Sequence, residues 1–323
     1  MTLTYKKNIL FNVLTTIVAI IFSIALIEIF LIFKNSITPN YDVEMWKYSK
    51  SLKEKSSDIL IGHVHKKNQS KKLQNVLIRT NEFGFRGKSL KNDNQTYDRE
   101  ILVIGSSIPL GWGVEEENTL SVKLEELAVQ NNSKWKVHNA GVGNYNAERY
   151  VNNYIKNLST IEVDTIIILY FVNDTEILTN NYGNFFTRNF QTAVLIWKFY
   201  KSLNEQLGTE NIVEYYQQKY NHEFEGYKNA IKALQELSNH CSKTNKKCVL
   251  AMMPDIHQMK PYGLKFIHDE MKNVSNELGF VYIDLLTKLR EVDAKLLWNP
   301  YQDPHPNAIG HKIIANTIYE KVK

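Results

Sequence analysis

Three runs in this chain are apolar without a break, around Ile104, Ile168 and Val249. A strand with one face in water alternates polar and apolar residues, so continuous runs of this length predict strands buried on both faces. Five β-rich segments follow this reading: Glu100–Ile104, Lys136–Asn139, Thr165–Val172, Lys247–Met253 and Phe280–Asp284. Between them, Leu120–Gln130, Tyr227–Ser242 and Phe266–Leu278 carry apolar residues at helical spacing, and a last helix is expected over Asn307–Val322. Strands separated by helices predict a parallel five-stranded sheet in a three-layer α/β/α domain, here placed at residues 98–323.

A second constraint precedes the domain. Asn8 to Phe33 is a nearly unbroken apolar stretch, with Lys6 and Lys7 before it and Lys34 after it. About 20 apolar residues cross a hydrocarbon core. The stretch is longer than the ~7–15 apolar residues of a cleavable signal peptide, and no small-x-small cleavage site follows it. Residues 1–34 therefore read as a transmembrane signal anchor, with a buried core helix as the alternative. Glu28 sits near one end, where a carboxylate is protonated or reaches the interface. Lysines at the start favour a cytoplasmic N-terminus and a catalytic domain on the exported side.

Residues 35–97 are polar, rich in lysine and asparagine, and read as a stalk leading to a small extended region. The stretch 176–224 interrupts the strand–helix alternation and is rich in aromatics, among them Phe185, Phe186, Phe190, Trp197, Phe199, Tyr200, Tyr215, Tyr216 and Tyr220. It is either a helical insertion packing its own small core, with Ala193–Leu207 amphipathic, or a lid or substrate platform beside a site. The net charge of +5 is spread along the chain without the dense basic face that nucleic-acid binding needs. Cys241 and Cys248, the two cysteines, have no histidine partners at metal spacing. Outside the cytoplasm they could close a short loop; two free thiols are an equal reading.

Ligands of a parallel sheet bind beyond the carboxyl ends of its strands. Four polar groups fall there: Ser107 after the first strand, Asn139–Asn144 after the second, Asn173 after the third, and Asp303–His305 before the last helix. A serine hydroxyl needs a base to become a nucleophile, which His305 supplies if the two meet. Asp303 would hold the imidazole tautomer and stabilise the imidazolium. The Ser107 amide and the Asn173 side chain are candidate oxyanion donors. His257 and His268 lack such context and read as surface or structural. The chemistry needs no metal or cofactor, and no nucleotide-binding loop is evident.

Gly105-Ser-Ser-Ile-Pro109 lacks the second glycine of the Gly-x-Ser-x-Gly elbow. Together with Asn81-Glu-Phe-Gly-Phe-Arg86, Gly111-Trp-Gly113, Asn139-Ala-Gly-Val-Gly-Asn-Tyr-Asn146, Phe171-Val-Asn-Asp174 and Asp303-Pro-His-Pro-Asn-Ala-Ile-Gly-His311, it resembles the SGNH (GDSL-like) hydrolases, in particular their membrane-anchored bacterial branch. The resemblance runs from about Asn81 to the C-terminus. It implies a flavodoxin-like sandwich, Ser107 as nucleophile, Asn173 as oxyanion donor and His305 as base. Three positions depart from the family pattern. Ser106 replaces a supporting aspartate. Asn144 takes the place of the oxyanion glycine, whose donor is a backbone amide, and Gly143 beside it is an alternative donor. Gln302 occupies the common position of the acid, so Asp303 is taken as the acid.

The reading that follows is a membrane-anchored serine esterase removing acyl groups, O-acetyl above all, from an envelope glycan or lipid, anchored through residues 8–33. The same triad would serve an O-acyltransferase for a cell-surface polysaccharide, if a sugar hydroxyl intercepts the acyl-enzyme before water. A catalytically degenerate member that binds glycan is the third reading.

Overall fold

The computed structural model of the protein describes residues 2–91, 93, 95–180, 183–205, 211–257, 259–299 and 303–323. Helices α1 (Thr2–Ile37) and α2 (Tyr41–Leu52) lead into two antiparallel ribbons, β1 (Lys53–Lys55) with β2 (His63–His65) and β3 (Ser70–Leu73) with β4 (Val76–Arg79). Strand β5 (Arg99–Gly105) runs through α3 (Ser107–Leu110) to α4 (Leu120–Gln130), β6 (Trp135–Asn139), α5 (Ala147–Asn153) and β7 (Thr165–Phe171). Helices α6 (Phe185–Asn189), α7 (Gln191–Glu205), α8 (Ile212–Lys219) and α9 (Glu225–Thr244) precede β8 (Lys247–Met253). Then come α10 (Lys265–Leu278), β9 (Val281–Asp284), α11 (Leu286–Leu289), the ribbon of β10 (Trp298–Asn299) with β11 (Asp303–Pro306), and α12 (Ala308–Val322).

The chain divides into two compact units: residues 1–47 with 182–209, and residues 48–181 with 210–323. The larger unit is built on a five-stranded sheet of order β6-β5-β7-β8-β9, every neighbouring pair parallel. Numbered by strand occurrence this is 2-1-3-4-5, the doubly wound flavodoxin order, whose switch point lies between β5 and β7. The apolar runs are buried on both faces, as their continuity predicts. Leu102, Ile104, Ile166, Ile168, Leu250 and Met252 enter one core with residues of α5, α9 and α10. Ile101, Val103, Ile167, Leu169, Val249 and Ala251 enter the other with residues of α4 and α12. Each fully buried aliphatic side chain of this kind contributes about 1.5–3 kcal/mol, so the three central strands stabilise both layers at once.

Residues 48–97 are part of the larger unit rather than standing apart from it. Tyr48, Leu52, Ile61, Leu73, Ile78 and Phe85 are all buried. The segment ends by pairing Arg86 with Asn139 at the tip of edge strand β6, where the Arg86 amide donates to the Asn139 carbonyl at 3.0 Å. The aromatic stretch is also divided. Tyr216 and Tyr220 enter the sheet's core and the Tyr220 hydroxyl donates to the Val172 carbonyl at 3.1 Å, whereas α6 and α7 belong to the smaller unit. Cys241 and Cys248 are joined by a disulfide.

In the smaller unit, α1 contains Lys7–Ile37, a segment long and apolar enough by length and composition to cross a membrane. The helix ends before Pro39, consistent with the bias of a pre-proline residue against helical backbone, and α2 restarts with the Asn40 side chain accepting from the Val43 amide at 3.2 Å.

Two turns deliver polar side chains to the carboxyl edge. At the end of β5, Gly105 has φ +148°, and a Cβ there would lie 2.8 Å from both the Leu169 carbonyl oxygen and Pro109 Cγ. Only glycine lets the chain turn this tightly between β7 and α3. After β7, one Asp174 carboxylate oxygen accepts from the Phe171 amide and from the Tyr150 hydroxyl, both at 3.0 Å, closing the turn that carries Asn173.

Gly105→Ala is expected to cost roughly 1–3 kcal/mol, read as a lower denaturant midpoint with an unchanged slope; an unaltered midpoint would contradict the close approach. Burial raises the Asp174 carboxyl from 3.8 to about 8. The folded chain then holds a proton that the unfolded chain has lost between about pH 4 and 8. This group makes stability fall as pH rises through that window and adds no slope above it. Asp174→Asn cannot ionise and is expected to flatten that fall in melting temperature. Parallel pH profiles for variant and wild type would contradict a protonated Asp174.

Candidate active site

Ser107 is the first residue of α3, two positions beyond the glycine that ends β5. Its amide is among the N–H groups that a helix leaves without an intrahelical partner. The loop behind it is held by a buried guanidinium. Arg86 donates to the carbonyls of Leu110, Gly111 and Val114, and burial lowers its pKa only to about 10, so it stays charged. The Asn139 side chain donates to the Pro109 carbonyl at 2.7 Å, and Asn299 to the Trp112 carbonyl at 2.8 Å. Three separate segments therefore fix the backbone around residues 107–114.

The last ribbon carries Asp303 and His305. Asn307 caps α12 by accepting from the amides of Ile309 and Gly310, while its own amide group donates to the carbonyls of Leu296 and Trp298. This pins the chain just after His305. Ser107 Oγ lies 2.7 Å from His305 Nε2, and His305 Nδ1 lies 2.6 Å from Asp303 Oδ1. The same carboxylate oxygen accepts the His305 backbone N–H at 2.9 Å, which fixes the ring relative to its acid. Asp303 and His305 are buried and Ser107 is half-buried. With Nδ1 protonated and facing the carboxylate, Nε2 is free to accept the serine proton. Gln302, the position of the acid in the common spacing, lies outside the described residues.

The loop after β6 is clamped from behind. The Gly143 amide donates to the Tyr48 hydroxyl at 2.9 Å, and the Tyr48 hydroxyl lies 2.6 Å from His65 Nε2. His65 Nδ1 faces the Gly84 carbonyl at 2.9 Å; burial depresses the ring to about 4, so it is neutral, donating through Nδ1 and accepting from Tyr48 through Nε2. The Gly143 carbonyl accepts from Lys53 Nζ at 2.7 Å and from His63 Nε2 at 3.1 Å. Burial, then the nearby Arg149 charge, lowers the Lys53 amine to about 7. Gly143 C=O and Asn144 N–H belong to one peptide group, so donors on that carbonyl polarise the Asn144 amide. Asn144 is exposed with φ +63°, a left-handed conformation that asparagine tolerates. Among the described residues its amide has no protein acceptor, whereas that of Gly143 is taken by Tyr48. Ser106 accepts from the Tyr145 amide at 3.2 Å, so the serine in the aspartate's place still ties this loop to the elbow.

Asn173 stands half-buried on the turn closed by Asp174. The remaining histidines are elsewhere engaged. His268 is buried between Asp284 and Tyr262 at 2.8 and 2.9 Å, and His311 accepts from the Leu120 amide at 3.1 Å. His257 pairs with Asp255 at 2.6 Å, and that hydrogen bond holds its pKa above the usual imidazole value.

The sequence reading assigned no part to Tyr48, Lys53, His63 and His65, all in the region taken as stalk and extended chain. A signal was available in His63-Val-His65, since alternate residues of a strand share one face.

The model of the GDSL-like Lipase/Acylhydrolase family matches residues 103–313, more than half of the chain. Among solved structures, the chain is similar to a lipolytic protein of the G-D-S-L family from Desulfitobacterium hafniense DCB-2, at 13% identity and TM-score 0.44, covering 70% of this chain and 100% of that one. It is also similar to an acetylxylan esterase from Geobacillus stearothermophilus, at 14% identity and TM-score 0.45, covering 70% and 95%. A lipase/acylhydrolase from Enterococcus faecalis matches at 14% identity and TM-score 0.43, covering 69% and 95%. No curated protein matches the chain. On the family match, the chain belongs to the GDSL-like lipase/acylhydrolase family and is a hydrolase acting on ester bonds.

Proposed function

We propose that this protein is a membrane-anchored serine esterase that removes small acyl groups, O-acetyl above all, from a glycan or lipid of the cell envelope. The observation that carries the reading is the 2.7 Å approach of Ser107 Oγ to His305 Nε2. In the first step His305 takes the hydroxyl proton as Ser107 attacks the ester carbonyl. The oxyanion is met by the Ser107 amide, the Asn144 amide and the Asn173 side chain. His305 then gives its proton to the departing alcohol, leaving Ser107 acylated. A water, deprotonated by the same histidine, releases the acid and restores the serine. Asp303 stabilises the imidazolium in both halves.

The anchor is α1, and the lysines at its start favour export of the larger unit. An anchored enzyme meets substrates at the envelope, which favours a glycan or lipid carrier.

With p-nitrophenyl acetate and the full chain in detergent, Ser107→Ala and His305→Ala are expected to lower kcat about 10³-fold or more. Asn173→Ala is expected to lower it about 10²–10³-fold. Lys53 acts through a peptide group rather than on the oxyanion, so Lys53→Met should cost less, about tenfold in kcat with KM little changed. Wild type without turnover, or turnover that survives Ser107→Ala, would overturn the serine esterase reading. Product acetylated on an added sugar instead of free acetate would move it to acyl transfer.

A further inference from the structure

Glu28 lies inside the apolar helix α1, and both its carboxylate oxygens are engaged by the start of α7. They accept from the Gln191 amide at 2.8 Å, the Thr192 amide at 2.9 Å and the Thr192 hydroxyl at 2.6 Å. A carboxylate at a helix N-terminus satisfies orphan N–H groups and meets the positive end of the dipole. Further along, the Asn35 side chain donates to that of Gln191, Asp42 pairs with Lys198, and the Trp46 and Trp197 rings meet edge to face at 5.8 Å. Helix α7 is thus fastened at its start to the C-terminal end of α1 and further along to α2.

The outer face of this insertion is apolar. Phe185, Phe186, Ile196, Phe199 and Tyr200 are each between 63 and 68% exposed, and Phe190 is 41% exposed. The ring centres of Phe185, Phe186 and Phe190 lie no more than 6.4 Å apart, and exposed aromatics gathered in this way mark an interaction surface. Helix α1, to which α7 is fastened, carries exposed apolar side chains of its own. From Ile9, twenty residues of helix reach Glu28, about 30 Å at 1.5 Å per residue, which is the thickness of a hydrocarbon core. Glu28 and the helix end it caps therefore fall at the level of a bilayer interface. Aromatic rings and basic side chains gather at that level. The charged side chains between residues 183 and 202 are all basic: Arg188, Lys198 and Lys201. Lys201 lies 5.7 Å from the Trp197 ring centre.

We propose that residues 183–202 are a second membrane-contacting element, an amphipathic segment locked to α1 through Glu28, with its aromatic face in the headgroup–acyl boundary of an anionic bilayer. The occupant of the face is lipid, because α7 is fastened to the spanning helix, its capped start lies at interfacial depth and its charged side chains are basic. This rests on the reading of α1 as a membrane anchor.

The native cysteines are paired, so single cysteines introduced into the full chain can carry an environment-sensitive fluorophore. The probe is placed by Phe199→Cys, Phe186→Cys, Ile20→Cys or Lys232→Cys, and the chain is reconstituted in phosphatidylcholine–phosphatidylglycerol vesicles with doxyl-labelled lipids. Probes at 199 and 186 should be quenched about twofold or more by a shallow 5-doxyl label and less by a 12-doxyl label. The probe at 20 should show the reverse order, and that at 232 neither. Quenching at 20 without quenching at 199 or 186 would overturn the proposal while leaving the anchor intact. Loss of quenching at 20 as well would overturn the anchor reading itself. Emission at 199 that depends on protein density and not on doxyl lipid would assign the face to a second copy of the chain and overturn the proposal.

Discussion

A hydrogen bond of 2.7 Å between residues 198 positions apart in sequence makes the severest demand on this scaffold. Ser107 and His305 meet only because two turns of unlike construction end at one point of the sheet edge. On one side, a glycine with left-handed backbone lets β5 turn into α3 against the Leu169 carbonyl. On the other, a short ribbon is pinned by Asn299 within it and Asn307 after it. Asn299 joins the two by donating to the Trp112 carbonyl, and Arg86 holds the carbonyls that follow Ser107. Reacting groups need placement within a fraction of an ångström, which explains why so many buried polar side chains are committed to backbone carbonyls here.

The loop after β6 follows the same logic with a different chemistry. Tyr48 and His65 form a relay of neutral donors and acceptors running from the Gly143 amide to the Gly84 carbonyl, and His63 meets the Gly143 carbonyl separately. Lys53 adds a donor on the carbonyl whose peptide partner is the Asn144 amide. Asparagine at 144 keeps that amide available because it accepts the left-handed backbone that a glycine would otherwise supply. The loop's other amide, of Gly143, serves to hold the loop itself.

The sheet was legible in the sequence because burial on both faces leaves an unbroken apolar run, as in Thr165–Phe171 and Lys247–Met253. Ser107 and Asn173 were legible as candidates because they follow strands of the parallel sheet, whose ligands bind beyond the strand ends, and Asp303 and His305 because they stand just before the last helix. Tyr48, Lys53, His63 and His65 were not legible. They lie in short ribbons among lysines, and their burial depends on contacts made far away in sequence, which periodicity cannot report. The aromatic stretch was ambiguous for a related reason: nothing in the local sequence separates Phe185 from Tyr216, yet Tyr216 is buried in the sheet's core and Phe185 is exposed. The difference is tertiary, set in part by Glu28 capping α7 and by Tyr220 reaching the Val172 carbonyl.

The central claim is that Ser107 is an activated nucleophile. Its most direct test is mass mapping of the peptide modified when the full chain reacts with a fluorophosphonate. The account predicts a single phosphonylated serine at Ser107, formed in wild type and slowed severely by His305→Ala. Modification at another residue, or at Ser107 with equal speed when His305 is absent, would contradict it.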